Sequence, residues 1–308
     1  MLEISSLTKH LGKSNVINNF SLFAQRQECI GLFGEDGAGK TTLLNLISGI
    51  ANPSSGSITV HGFNTQTHPL QARKVLGYQL QAGLSHQSMS VKGFLNFIAD
   101  VRGFSGAEKR SRVDRAAMRL ELSRVLNVPI SALCVGLKRK VAIAQAILHT
   151  PSLLLLDEPS DGLAPNQRLK FRTLVQSLTE EMAVIIASRH CDELASLCTR
   201  ALVIARGQLV ADTPLSEFQR KSRYYRAVTL AAETPLDLLA LAVLPGVAGI
   251  EEDRHTPGTV TVLALPGHSI YPHINALIAH RGWNITSLKL ETGRLNEVVR
   301  HLSHEVSL

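Results

Sequence analysis

The spacing of apolar and polar positions predicts strands and helices in alternation, with a change of rhythm near residue 90. Residues 2–7 and 17–23 have strand character, and Cys29-Ile30-Gly31-Leu32-Phe33 is an apolar run with the length of one buried strand. A helix is expected over Thr41–Ser48, closed by Gly49, followed by a turn at Pro53-Ser54-Ser55-Gly56. Strands follow at Ser57–Val60 and Val75–Leu80, the second with Gln81 at its exit. From Ser90 the period becomes helical. Ser90 is placed to cap Val91–Arg102, whose apolar face is Phe94, Leu95, Phe97, Ile98 and Val101. A second amphipathic helix runs from Glu108 to Leu122, and a third starts near Gly136 and stops at Pro151, so a helical subdomain spans about 88–150.

Leu153-Leu154-Leu155-Leu156 has no polar alternation, which describes a strand buried on both faces, as in a parallel sheet. A helix over Asn166–Thr179, a strand Ala183–Ser188, a helix Cys191–Cys198 and strands near 201–205 and 208–211 complete this pattern. Pro214 and the basic residues Arg220, Lys221 and Arg223 suggest a linker at 216–224 between a first domain, 1–215, and a second, 225–308. The second reads strand, helix (Pro235–Val243, capped by Thr234), strand, strand, helix (Ser269–His280), strand, with a last helix from Leu295. That β-α-β-β-α-β order is the ferredoxin-like arrangement.

Composition narrows the classes. The 308 residues are 44% hydrophobic and 19% charged, which is ordinary for a folded chain of two domains. No apolar run approaches the ~20 residues of a membrane span, and no signal peptide is expected at the N-terminus. Cys29, Cys134, Cys191 and Cys198 lack metal-ligand spacing and suggest a reduced compartment; Cys191 and Cys198 are expected on one face of a helix. The net charge of +7 permits an anionic partner, but the basic residues are dispersed and aromatics are 5%. Arg110, Arg112, Arg115 and Arg119 read as a solvated helix face in preference to a nucleic-acid patch, and no specific nucleic acid is expected. The histidines at 255, 268, 273, 280, 301 and 304 are scattered, as loop or solvent-facing residues are.

The sharpest chemistry is Gly34-Glu35-Asp36-Gly37-Ala38-Gly39-Lys40-Thr41-Thr42, which reads G-x-x-x-x-G-K-T between a buried strand and a helix. Its glycines let several backbone N–H groups converge on one anion, and the helix N-terminus adds its positive end. Lys40 is placed to reach the outer phosphates of a nucleoside triphosphate and the Thr41 hydroxyl to hold Mg²⁺. Asp157 and Glu158 follow the four leucines, at the carboxyl end of a strand, where open α/β sheets bind ligands. Asp157 suits the metal shell, and Glu158 suits the polarisation of an attacking water.

Across roughly residues 1–215 these motifs, in this order and spacing, resemble the ATP-binding subunits of ABC transporters. The resemblance implies an α/β fold: a P-loop ATPase domain with a mostly parallel core sheet, an antiparallel β subdomain and a helical subdomain. It implies Glu158 as catalytic base with Lys40 assisting, and ATP and Mg²⁺ as cofactors, the metal held by Thr41, Gln81 and Asp157. Gln81 would also couple the site to a transmembrane permease. Two subunits would sandwich two ATP molecules, each phosphate loop facing the partner's signature, here Cys134 and Gly136. The resemblance further implies a cytoplasmic position on the inner membrane face, bound to a separate permease of exporter type, as a homodimer or heterodimer.

This chain departs from the family at four places. Its signature is Leu133-Cys134-Val135-Gly136-Leu137 in place of Leu-Ser-Gly-Gly-Gln, and a thiol donates more weakly than a hydroxyl. Ala164 stands where an aspartate usually crosses the dimer. Arg189 stands at the switch-histidine position, with His190 one residue late, and a one-residue slip turns a side chain away. Arg189 suits a fixed cation at the γ-phosphate. Leu11 replaces the aromatic that stacks on adenine, a loss on the order of 1 kcal/mol that loosens base selectivity. The alternative reading is therefore a degenerate nucleotide-binding module with little hydrolysis, acting in a heterodimer or as a regulator.

Overall fold

The computed structural model describes residues 1–12, 14–81, 83–253, 256 and 258–306. The chain forms two compact units, one over Met1–Asp212 with the last few residues from Leu302, the other over Thr213–His301.

In the first unit β1 (Leu2–Leu11) and β2 (Ser14–Ala24) make an antiparallel pair, longer than the apolar pattern alone indicates. β3 (Cys29–Phe33) leads to α1 (Lys40–Ile47). β4 (Ser55–Val60) and the short β5 (Phe63–Asn64) complete an antiparallel sheet in the order β2-β1-β4-β5. After α2 (Pro69–Lys74) and β6 (Leu76–Gln79) come three helices, α3 (Val91–Val101), α4 (Gly106–Arg119) and α5 (Val135–Ile147). The Ser90 hydroxyl caps α3 as its sequence predicts, accepting from the Gly93 N–H at 3.1 Å. The chain then returns to strands and their crossovers: β7 (Leu153–Asp157), α6 (Pro165–Thr179), β8 (Ala183–Ser188), α7 (Cys191–Leu194), β9 (Arg200–Ala205) and β10 (Gln208–Pro214).

The second sheet has the order β10-β9-β3-β8-β7-β6, with every pairing from β9 to β6 parallel. Residues Leu153 to Asp157 are all buried, as a strand covered on both faces requires. Leu43, Leu44, Leu46 and Ile47 of α1 share one core with Phe20 and Ile58 of the antiparallel sheet and Leu155 and Ile185 of the parallel one. In register, Phe33 pairs with Ser188 and Asp157 with Ala187, so β3, β7 and β8 end at one edge. Parallel pairing thus brings together three loops that lie far apart in sequence.

The second unit begins with α8 (Leu215–Arg220) and continues with β11 (Tyr225–Ala232), α9 (Leu238–Ala242), β12 (Val247–Glu252), β13 (Thr259–Ala264), α10 (Tyr271–Arg281), β14 (Ile285–Thr292) and α11 (Leu295–Glu305). Its sheet order β12-β13-β11-β14, antiparallel throughout, is the ferredoxin-like order. Leu241 of α9 and Ile274 of α10 pack with Val228, Leu230 and Val262.

Three local expectations change. The stretch read as a linker carries α8, because Leu215 and Phe218, three residues apart, are both buried. The cap of α9 is Asp237, which accepts from the Ala240 N–H at 3.0 Å, and not Thr234; Pro235 lies outside the helix. Cys191 and Cys198 do not share a helix face, since α7 stops at Leu194 and the Cys198 thiol packs on that of Cys29, 3.8 Å away.

Candidate nucleotide site

The motif 34–42 runs from a loop after β3, residues 34–39, into the first turn of α1, the context it requires. Gly39 has φ +107°, and a Cβ there would meet the Val16 carbonyl oxygen at 2.8 Å, so only glycine fits. The loop is tied from outside: the Gly207 N–H donates to the Ala38 carbonyl at 3.0 Å and the Asn18 N–H to the Gly207 carbonyl at 2.9 Å. Lys40 is buried, and its ammonium donates to the carbonyls of Gly34 (2.7 Å) and Glu35 (3.0 Å). Burial pushes Lys40 below its ordinary pKa, against the opposing charges of Glu158, Asp36 and Asp157. The side chains of Glu35 and Asp36 are exposed at the loop's tip.

Asp157 and Glu158 lie where the register of β7 puts them, both buried. Burial raises the Asp157 carboxyl above its ordinary value, while the Thr41 hydroxyl and the charge of Lys40 hold it down. Oδ2 of Asp157 receives the Tyr78 hydroxyl at 3.5 Å, and its Oδ1 has no partner. Glu158 is likewise raised by burial, against Lys40 and a hydrogen bond from the Arg189 backbone. Its Oε1 accepts from the Arg189 N–H at 2.9 Å, its Oε2 has no partner, and its φ is +44°. That left-handed backbone costs a side-chain-bearing residue roughly 1–2 kcal/mol, strain of the kind stored where chemistry is done. Orphaned buried carboxylate oxygens beside a lysine and a threonine hydroxyl are hard-oxygen donors suited to Mg²⁺.

The remaining sequence-predicted residues fall around this centre. The Arg189 guanidinium reaches Asp36 at 3.4 Å and Asp161 at 3.3 Å, and its Nε meets Nε2 of His190 at 3.4 Å. Thr42 is half-buried on α1. Gln81 is exposed past the end of β6, and its carbonyl accepts from Arg139 at 3.4 Å. Cys134 is exposed at the N-cap of α5 with no side-chain cap bond, and Gly136 follows it in the first turn. Ala164 stands at the N-cap of α6 and offers no side-chain acceptor to the first turn, while its own N–H donates to Oε1 of Gln167 at 3.2 Å. Leu11 is exposed. Arg112 and Arg119 of α4 are paired with Glu108 and Glu181, while Arg110 and Arg115 are exposed. Among the described residues no group of three or more His, Cys, Asp or Glu side chains is placed to hold a metal; His255 lies outside them.

Sequence reasoning overlooked the contacts of four residues. Gln79 is fully buried, and its amide donates to the carbonyls of Leu80 (2.7 Å) and Asp157 (3.3 Å), holding the end of β7. Tyr78 bonds Asp157, and Gln167 packs on Gly136. Asp161 meets Arg189. The short apolar run Val75–Leu80 marked Tyr78 and Gln79 as strand residues but gave no sign that they meet the acidic pair.

Comparison with known proteins now bears on this geometry. The family described as ABC transporter matches residues 17–161. The chain is 31% identical over 210 residues to the ABC transporter ATP-binding protein NatA of Bacillus subtilis (strain 168), covering 67% of this chain and 85% of that protein. This chain belongs to the ABC transporter ATP-binding family. A second relative in that family is the linearmycin resistance ATP-binding protein LnrL of the same organism, 30% identical over 212 residues, with 68% of each chain covered. Among solved structures, cbiO1 from Clostridium perfringens, described as part of the ABC transporter complex cbiONQ, superposes with a TM-score of 0.63 at 26% identity. The match covers 70% of this chain and 89% of that one. Among the described residues no helix is long and apolar enough to cross a membrane.

Proposed function

We propose that this ABC subunit hydrolyses ATP with Glu158 as general base, closes on ATP with a second ATPase subunit, and drives export through a separate membrane permease from the cytoplasmic face. The observation that carries the reading is the buried pair of carboxylates, each with one unpartnered oxygen, electrostatically coupled to Lys40. In the reaction, Lys40 leaves the carbonyls of Gly34 and Glu35 for the outer phosphates, and the loop's N–H groups hold the bridging oxygens. Glu158 Oε2 accepts a proton from the water that attacks the γ-phosphorus, the bond from that phosphorus to the β,γ-bridging oxygen breaks and ADP leaves, while Oε1 stays anchored on the Arg189 N–H. Arg189 supplies a fixed positive charge at the γ-phosphate. Thr41, Asp157 and Gln81 are the residues to hold Mg²⁺, which when bound offsets the charge on the phosphate oxygens. Cys134 and the N-terminus of the Gly136 helix complete the site of the partner subunit. The resistance protein LnrL among its relatives supports the export direction.

Phosphate release by the purified protein, alone and with its co-purifying permease, tests this reading. Glu158→Gln is expected to lower turnover by about 10²–10⁴-fold. No activity above that variant in either setting would overturn it. A second reading, a nucleotide-binding module with little hydrolysis, is favoured by three departures together: Cys134 and Ala164 weaken the side of the sandwich that faces the partner, and Arg189 at the switch position cannot relay a proton as a histidine does. The ferredoxin-like domain, with a core of its own, is proposed to dock a partner or regulate. Unchanged assembly and transport after deletion of residues 225–308 would refute that role.

A further inference from the structure

Arg189 is the hub of an arrangement that its place in the sequence does not announce. Its backbone N–H holds Oε1 of Glu158, while its guanidinium spans two carboxylates from different loops, Asp36 of the phosphate loop and Asp161, three residues after Glu158. The two carboxylates are unequal. Asp36 offers one oxygen at 3.4 Å and its side chain is 77% exposed. Asp161 presents both oxygens at 3.3 Å to one guanidinium nitrogen, and its side chain is 35% exposed. Asp161 also sits in a turn, its N–H donating to the Glu158 carbonyl at 3.2 Å, so its position follows that of the acidic pair. Asp36, by contrast, rides on the loop that the phosphates must enter.

An incoming γ-phosphate carries about two negative charges and competes with the single charge of Asp36 for the guanidinium. It also repels the Asp36 carboxylate, which lies on the same loop. Asp161 lies off that loop and can keep its contact while the exchange takes place. Building on the reading that Arg189 meets the γ-phosphate, we propose that Asp161 is a positioning residue that holds Arg189 over the phosphate loop while the γ-phosphate replaces Asp36 as its second partner. The ion-pair bridge then discriminates ATP from ADP, because only the triphosphate brings the charge that displaces Asp36. A histidine at position 189 would not hold a permanent charge between two carboxylates; arginine does so at every working pH.

The experiment is equilibrium binding of Mg²⁺ with adenylyl imidodiphosphate, which keeps a γ-phosphate without being hydrolysed, and separately with ADP. The readout is the ratio of the two dissociation constants. Asp161→Asn keeps the size of the side chain and removes the charge; it is expected to cut the preference for the triphosphate analogue by about fivefold while leaving ADP affinity unchanged. Asp161→Glu is expected to restore the preference to within about twofold. A preference in Asp161→Asn equal to that of the unaltered protein, together with its loss in Arg189→Ala, overturns the role of Asp161 and leaves that of Arg189 standing. An unchanged preference in Arg189→Ala removes the γ-phosphate reading itself.

Discussion

The backbone N–H of Arg189 donates to Oε1 of Glu158 at 2.9 Å, across the parallel register that pairs Asp157 with Ala187. One residue therefore acts in two directions. Its main chain orients the acid that would accept the water's proton, and its guanidinium faces the carboxylates that frame the phosphate loop. A substitution at 189 that keeps the main-chain N–H leaves the first contact intact and alters only the second.

The burial of Glu158 has a consequence for stability. Its carboxyl binds a proton more tightly in the folded state than unfolded, where the ordinary value is 4.5. Above that value and up to the raised native one, the folded state holds more protons, so stability falls as pH rises through the window. The favourable contribution is complete below pH 4.5 and is lost once pH exceeds the native value. Glu158→Gln does not titrate. It is expected to raise Tm relative to the unaltered protein, with a larger gain at about pH 8 than at about pH 5. Thermal melts of both proteins at the two pH values check this; a gain independent of pH would contradict it.

Lys40 already has two acceptors in the resting loop, the carbonyls of Gly34 and Glu35. Replacing it by alanine removes a charged donor worth roughly 1.5–3 kcal/mol in a hydrogen bond to phosphate. ATP affinity measured calorimetrically should fall by at least about tenfold. Lys40→Arg should fail to restore it, because the wider planar guanidinium does not fit a position that is 7% exposed.

Two glycines make opposite demands on a methyl group. A Cβ at Gly136 would meet the amide end of Gln167, with its Nε2 at 2.7 Å, and that flexible tip can swing away. Gly136→Ala should therefore fold with a Tm close to the parent, losing at most the Gln167 bond to the Ala164 N–H, about 1 kcal/mol. A Cβ at Gly34 would meet the Ile204 carbonyl oxygen at 2.3 Å, and that backbone belongs to β9 in the core sheet. Gly34→Ala should cost several times more, about 3 kcal/mol or above, and abolish nucleotide binding. Urea unfolding of the two variants side by side decides the order.

The four cysteines differ in access. Cys134 is exposed, whereas Cys29, Cys191 and Cys198 are buried. Burial raises Cys191 to about 12, so its thiolate is scarce at neutral pH. A thiol reagent should therefore label one site rapidly in the folded protein and the other three only on unfolding. If Cys134 faces the partner's ATP in a closed dimer, Mg²⁺ with ATP should slow its labelling in the Glu158→Gln protein. Equal rates with and without nucleotide would speak against that closure.

Much of the site was readable in the chain because its signals are local. A glycine-rich turn needs its glycines in one stretch, and a strand buried on both faces shows as an unbroken apolar run, so Gly34–Thr42 and Asp157-Glu158 were legible with their neighbours. The ferredoxin-like order of the second unit was legible for the same reason, as strands and helices announce themselves by period. The errors lie where burial by distant residues overrode a local rule. Leu215 and Phe218 turned an apparent linker into α8, and Cys198 left its expected helix to pack on Cys29.

Tyr78, Gln79 and Asp161 came to the site only from tertiary structure, and so did the partners of Arg189. Tyr78, Gln79, Asp161 and Arg189 lie on segments up to about a hundred residues apart, and no periodicity relates them. The parallel register of β3, β8, β7 and β6 ends those strands at one edge and so decides which side chains meet. From sequence alone, Arg189 could be aligned to a switch position and given a charge. That this charge is shared between Asp36 and Asp161, with Glu158 held by the same residue's main chain, follows from strand pairing, whose contacts are set by hydrogen-bond register and not by distance along the chain.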